Sequence, residues 1–195
     1  IILTLATLTL TSTALLSHAG SSGYDKQIHK ALHHDDRPQQ DKARDMDRKP
    51  ADILKLVDIK PNMKVVDYIA GGGYYSELFA RLLNNKGHLY SVKGRLAKRE
   101  LSKYNNISVL KEIDLSELNQ PVDRIFTALN YHDAVNNKKI NRSALLATIH
   151  SKLNHDGYFI VIDHNAAPGA GISKTKEQHR IENSFVLNEI MNAGF

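Results

Sequence analysis

The chain has no cysteine in its 195 residues. Disulfide staples, thiolate nucleophiles and a lipid-modified cysteine anchor are therefore excluded, whichever compartment the protein works in. A block of like charge is missing too. Its 26 Lys and Arg are interleaved with 21 Asp and Glu, so the net charge of +5 describes a mildly basic, solvated surface rather than a nucleic-acid footprint. There is no internal repeat, and no apolar run long enough for a good membrane span. The spacing G-x-G-x-x-G is absent, and the second predicted strand does not end in the acid that selects NAD, which ranks a nicotinamide dehydrogenase lower, with Lys93 and Arg95 still suited to a 2′-phosphate.

What is present falls into three parts. Residues 1–16 are apolar or hydroxylated and carry no charge, and Ser17-His18-Ala19 offers small residues at both key positions of an A-x-A-like cleavage site. Residues 1–19 thus read as a signal peptide without its basic n-region, cleaved after Ala19. The expected location is periplasmic or secreted, with no stable membrane insertion after cleavage. A buried first helix is the competing reading. Residues 20–49 read as a polar extension with a short surface helix, since Tyr24, Ile28, Ala31 and Leu32 share one helical face. His33-His34-Asp35-Asp36 reads as a solvated stretch. Residues 50–195 read as one domain.

Within that domain the pattern is regular. Pro50 suits a first helical turn, with Ile53, Leu54 and Val57 inward. Val65 to Tyr68 reads as a buried strand, and Ser76 to Leu83 as a helix. Further strands are predicted at His88 to Val92, Ile107 to Leu110, Val122 to Leu129 and Tyr158 to Ile162. A helix carrying Leu145, Leu146, Ile149 and Leu153 is predicted to stop near Asp156-Gly157. Asn183 is the expected cap of a last helix. Strands alternate with helices, which predicts an α/β fold: a doubly wound, mostly parallel sheet with helices on both faces.

Gly71-Gly72-Gly73 sits between the first strand and its helix. Glycines there let a ligand approach the backbone, and the helix start offers unpaired N–H groups. Other polar residues fall at strand ends: Asp67 after the first strand, Asn130-Tyr131-His132-Asp133 after the fourth, Asp163-His164-Asn165 after the fifth. His179-Arg180 follows. In a parallel sheet these ends share one mouth, where ligands bind.

The stretch Val65-Val66-Asp67-Tyr68-Ile69-Ala70-Gly71-Gly72-Gly73-Tyr74-Tyr75 resembles motif I of class I S-adenosylmethionine-dependent methyltransferases. Three segments resemble an exported group of predicted bacterial methyltransferases: the glycine loop, Asn130 to Asp133, and Asp163-His164 with Ala167-Pro168-Gly169 and His179-Arg180-Ile181. Arg44-Asp45 and Arg48-Lys49-Pro50 are similar as well. The resemblance implies a Rossmann-like class I methyltransferase fold, whose two C-terminal strands would be missing from this chain.

It also implies S-adenosylmethionine as cofactor, methyl transfer to an unidentified small molecule, and a cofactor site at Asp67, Ala70, Gly71, Gly72, Gly73 and Asp114. Asp67 would serve the methionine end and Asp114 the adenine. In-line transfer needs alignment and exclusion of water, and an oxygen or nitrogen acceptor also needs a base. His132 is the first candidate for it, with Asn130, Tyr131 and Asp133 around it. The alternative is a non-catalytic ligand- or metal-binding protein on a degenerate methyltransferase scaffold. A divalent ion would then sit on Asp133, Asp163 and Asn165, oxygen ligands that suit Mg²⁺, whereas His132, His164 and His179 would suit Zn²⁺ better.

Two positions depart from motif I and its surroundings. Ile69 stands where the general motif has glycine. A β-branched residue resists positive φ, so the loop is expected to start extended. Lys93 stands where an acid usually accepts both ribose hydroxyls. Lysine only donates, so the ribose would need a different partner, with Glu100 as the substitute.

Overall fold

The structure is a computed structural model that describes residues 13–195, apart from 98, 100, 102 and 103. The chain opens with helix α1 (Thr13–Leu32), two single-turn helices α2 (Gln39–Lys42) and α3 (Asp45–Arg48), and α4 (Pro50–Val57). Strand β1 (Lys64–Asp67), the glycine loop and helix α5 (Tyr74–Leu83) follow. Next come β2 (His88–Val92), β3 (Ile107–Leu110), β4 (Val122–Ala128), α6 (Tyr131–Asn136), α7 (Arg142–Lys152) and β5 (Leu153–Ile162). The described chain closes with α8 (Thr175–Gln178) and α9 (Asn183–Asn192).

The sheet order is β3-β2-β1-β4-β5, and every ladder is parallel. Side chains alternate across each strand. Val65 therefore joins Leu54, Leu78, Phe79 and Phe126 on one face, while Val66 joins Val92, Ile125, Leu118 and Ile149 on the other. Helices α1, α4 and α5 cover the first face and α7 the second. Phe79 and Phe126 meet edge to face at 5.1 Å. Each buried ring stabilises the fold by about 2 kcal/mol. The order of strands reverses between β1 and β4, which opens a crevice at their carboxyl ends.

The N-terminal part is more embedded than a polar extension with a surface helix. The face of Tyr24, Ile28, Ala31 and Leu32 exists, but it packs into the first core layer. The Tyr24 hydroxyl donates to the Leu54 carbonyl at 3.0 Å and accepts from the Ile59 amide at 2.9 Å, tying α1 to α4. Of the expected leader, residues 1–12 lie outside the described residues, and Ala19 lies within α1. No helix among the described residues is long and apolar enough to cross a membrane.

Two boundaries differ from the sequence reading. Helix α7 stops at Lys152, and β5 starts at Leu153 rather than Tyr158. Gly157 is not a helix stop. A Cβ there would meet the Asn154 and Val122 carbonyls at 2.9 and 3.1 Å, so the glycine serves a close backbone approach where the register shifts between Val122 and Arg124. At α9 the cap is Glu182, and Asn183 is the first helical residue, its amide donating to Asn165 Oδ1 at 2.9 Å.

Candidate functional site

At the reversal of strand order lies a cavity of about 160 Å³, lined by Asp67, Gly71, Gly72, Arg44, Arg48 and Asn130 among others. A larger one, about 520 Å³, sits between α1 and the last turn of α5, around Gln27, Lys30, Arg81 and Tyr104. It lies toward the amino ends of the strands, where neither the glycine loop nor any strand carboxyl end reaches it. Volume is therefore a poor guide here, and position in the sheet the better one.

The glycines divide by role. A Cβ on Gly71 or Gly72 would meet nothing within 4 Å, so both present open backbone. Gly73 is different: at φ 76 it precedes α5, and a Cβ would fall 2.3 Å from Leu96 Cδ2 and 2.9 Å from Arg99 Nε. Open space over two glycines and a packed third is the shape of a cradle closed from behind.

The loop does not start extended. Ile69 is left-handed at φ 57. Its flanks explain why: Tyr68 N donates to Phe126 O at 2.7 Å, Ala70 N to Val92 O at 2.8 Å, and Asn130 Nδ2 to Ile69 O at 3.1 Å. Bonds to three separate segments override a local preference worth about 1–3 kcal/mol. Leu129, on the opposite wall of the crevice, is also left-handed at φ 60. Lys93, after β2, is exposed at φ 55 and does not line the cavity. Glu100 lies outside the described residues.

Asp67 is buried at the end of β1. Ser76 Oγ donates to its Oδ2 at 2.6 Å and is itself 2.9 Å from Ser91 Oγ. Burial pushes the carboxyl up to about 7, although the Ser76 bonds and the charges of Arg99 and Arg48 pull it down. Across the cavity, Arg37, Arg44 and Arg48 gather over the Tyr74 ring, 4.9–5.6 Å from its centroid. Arg37 is satisfied by a two-pronged pair with Asp45, both bonds at 2.8 Å. Arg44 reaches Asp41 at 3.5 Å. Arg48 is half-buried, and among the described residues no carboxylate pairs with it. Burial and the neighbouring Arg44 hold its pKa below the usual arginine value, which marks a cation short of a counter-ion.

Arg99 fastens the back of the loop. It pairs with Asp41 at 2.8 Å and Glu77 at 2.6 Å, and its Nε donates to the Gly72 carbonyl at 2.5 Å. Asp114 is exposed and accepts from the Ser116 amide at 2.9 Å, in a local turn outside the cavity lining.

A second group forms beyond β4 and β5. His132 is buried, and its Nδ1 lies 2.8 and 2.9 Å from the two Asp163 oxygens. The His132 and His164 amides donate to the same carboxylate. His132 Nε2 lies 3.2 Å from His179 Nδ1 and 3.4 Å from Asp133 Oδ1. Tyr131 turns away, its hydroxyl donating to Glu189 at 2.7 Å. Asn130 faces the crevice. Asp133, Asp163 and Asn165 do not assemble as one ligand set: Asp163 is committed to His132, and Asn165 Oδ1 to Asn183 N. The sequence reading missed Arg44 and Arg48 as lining residues. Their four-residue spacing just before the first domain helix was the available signal.

No protein-family model matches the sequence. The chain is 34% identical over 90 residues to protein-L-isoaspartate O-methyltransferase of Methanothrix thermoacetophila, covering 42% of this chain and 43% of that protein. It spans less than half the length of the curated relatives it matches. Among solved structures, a SAM-dependent methyltransferase from Aquifex aeolicus superposes with a TM-score of 0.60 at 20% identity, covering 87% of each chain. The 1,6-didemethyltoxoflavin-N1-methyltransferase of Burkholderia thailandensis, solved with its substrate and S-adenosylhomocysteine, gives 0.51 at 16% identity, over 97% of this chain and 82% of that one. The fold is thus the Rossmann-like fold of class I methyltransferases.

Proposed function

We propose that this chain transfers a methyl group from S-adenosylmethionine to an oxygen of a small-molecule acceptor. The observation that carries the reading is the charge layout of the crevice. The Arg48 guanidinium, which no carboxylate among the described residues pairs with, and a buried carboxyl on Asp67 line one cavity whose floor is open glycine backbone. A free amino acid end carries a carboxylate and an ammonium, and those two groups complement Arg48 and Asp67. Gly71 and Gly72 would let the rest of the cofactor lie against the chain. S-adenosylmethionine supplies a methyl group on a sulfonium. The C–S bond breaks as the bond to the acceptor oxygen forms, and the electron pair stays on sulfur.

The chain's own work is to bind, to align and to take a proton. Asp163 fixes the His132 ring through Nδ1 and leaves Nε2 facing His179 and Asp133, two residues along the chain from Asn130, which lines the crevice. Loss of the acceptor's proton belongs to that cluster. The name of the curated relatives supports an oxygen acceptor, and the small-molecule enzyme among the structural neighbours supports its size. The leader-like residues 1–19 support export, and fractionation that leaves the full-length chain in the cytoplasm would remove that part.

Isothermal titration with S-adenosylmethionine and S-adenosylhomocysteine tests the reading. Both should bind, and Arg48→Gln should weaken both about 10- to 100-fold, the range for a lost charge-assisted bond. Absence of heat at millimolar ligand would end it.

A further inference from the structure

The histidine cluster has more order than a proton-taking site requires. Three side chains place one ligand atom each within 4.8 Å of one another: His132, Asp133 and His179. Two of the edges are 3.2 and 3.4 Å. A tetrahedral zinc ion with bonds near 2.0–2.1 Å needs ligand separations of about 3.3 Å. The outer support is also present. Asp163 accepts hydrogen bonds from His132 Nδ1–H and from two backbone amides, which fixes the tautomer with its lone pair on Nε2. A carboxylate behind a ligating imidazole is the usual way a protein aims a histidine at a metal. His179 is left-handed at φ 51, held where its Nδ1 meets His132.

We infer that His132 Nε2, His179 Nδ1 and an Asp133 oxygen bind a divalent transition metal, zinc first, with Asp163 as the orienting residue. Two imidazoles and one carboxylate suit zinc better than magnesium or calcium, which favour oxygen-only shells. With metal bound, His179 carries its ring proton on Nε2 instead of Nδ1. Three protein ligands leave one position open. The role of that position rests on the methyl-transfer reading: it would hold the acceptor oxygen and make its proton easier to lose. The existence of the site does not rest on that reading.

The test is titration of ZnCl₂ into the full chain, expressed without a histidine tag and stripped with a chelator. One tight site per chain is expected. His179→Ala and Asp133→Asn change exposed residues, so folding is preserved, and each should weaken zinc at least tenfold. Asp163→Asn should weaken it about 10- to 100-fold, the range for removal of an outer-shell partner. The stacked surface pair His29 and His33, with centroids 4.0 Å apart, is the rival location. A His29→Ala/His33→Ala double variant should bind zinc as the parent does. Loss of the tight site in that double variant, its survival in His179→Ala, or no tight site at all overturns the inference. S-adenosylmethionine binding is measured on the same stripped samples. Zinc uptake without cofactor binding supports the metal site while removing the methyl-transfer reading.

Discussion

Asn130 belongs to the crevice and His132, two residues on, to the histidine cluster, yet the two regions are finished to different degrees. In the cluster the inner groups are paired: Asp163 accepts from an imidazole and two amides, and His132 also meets His179. In the crevice the groups are left short. No carboxylate among the described residues pairs with Arg48, Asp67 is protonated more readily than a carboxyl should be, and both walls carry left-handed non-glycine residues. An incomplete site costs stability, and a ligand that completes it recovers that cost as binding energy. The contrast separates a region assembled before the ligand arrives from one assembled by it.

The largest effect should come from the glycines, where neighbouring positions are expected to behave in opposite ways. Gly73→Ala places a methyl group against Leu96 and Arg99 in a backbone conformation that alanine avoids. The expected loss is about 3–5 kcal/mol, from overpacking together with strain. Denaturant unfolding checks it. Gly72→Ala meets nothing within 4 Å and should leave stability within about 0.5 kcal/mol, while cofactor affinity falls. Equal stability loss at both glycines would remove the distinction between cradle and backing.

Asp67→Asn comes next. The folded carboxyl titrates near 7 and the unfolded one near 3.8. Between those values the folded state holds more protons, so stability falls as pH rises through the window, and the full cost is present above it. Asparagine removes the titration. The variant should gain on the parent between pH 4 and pH 8, by on the order of 2–4 kcal/mol, while binding the cofactor more weakly. Parallel stability curves for the two proteins across that range would show that Asp67 is not held uphill.

Within the cluster the sign reverses. Asp163→Asn leaves an amide that accepts through one oxygen only, facing three N–H donors. A loss of about 1–3 kcal/mol is expected at neutral pH, chiefly from the part-buried His132 donors left unpaired. Thermal unfolding beside Asp67→Asn gives the comparison directly: one carboxylate substitution stabilises and the other destabilises.

The sequence discloses these regions unevenly, for a physical reason. β2 and β3 were legible to the residue because short runs of strand-forming residues between turn signals define strands locally. Asp67 and the three glycines were legible because strand, turn and helix are contiguous. His132, Asp163 and His179 were each visible as polar residues at strand ends, but their pairing spans 31 and 47 residues and depends on how β4, β5 and α8 are placed. Arg48 was visible as part of the resemblance, but with no role attached to it. Only its position over Tyr74, against the glycine helix, makes it a lining residue.

Ile69 is the position where local reasoning failed outright, and it offers the smallest and most discriminating test. Local preference favours an extended isoleucine, but Phe126 O, Val92 O and Asn130 Nδ2 hold the loop left-handed. Ile69→Gly should release about 1–3 kcal/mol of strain. It should also forfeit the contacts of a half-buried side chain against the second core layer, a loss of similar size. The two nearly cancel, so a net change within about 1 kcal/mol is expected. The same substitution at an extended, half-buried isoleucine such as Ile107 should cost about 2 kcal/mol or more, because side-chain loss and added backbone freedom act together. Equal losses at Ile69 and Ile107 would mean that the crevice stores no strain at this wall, and that its incompleteness lies in the charges of Arg48 and Asp67 alone.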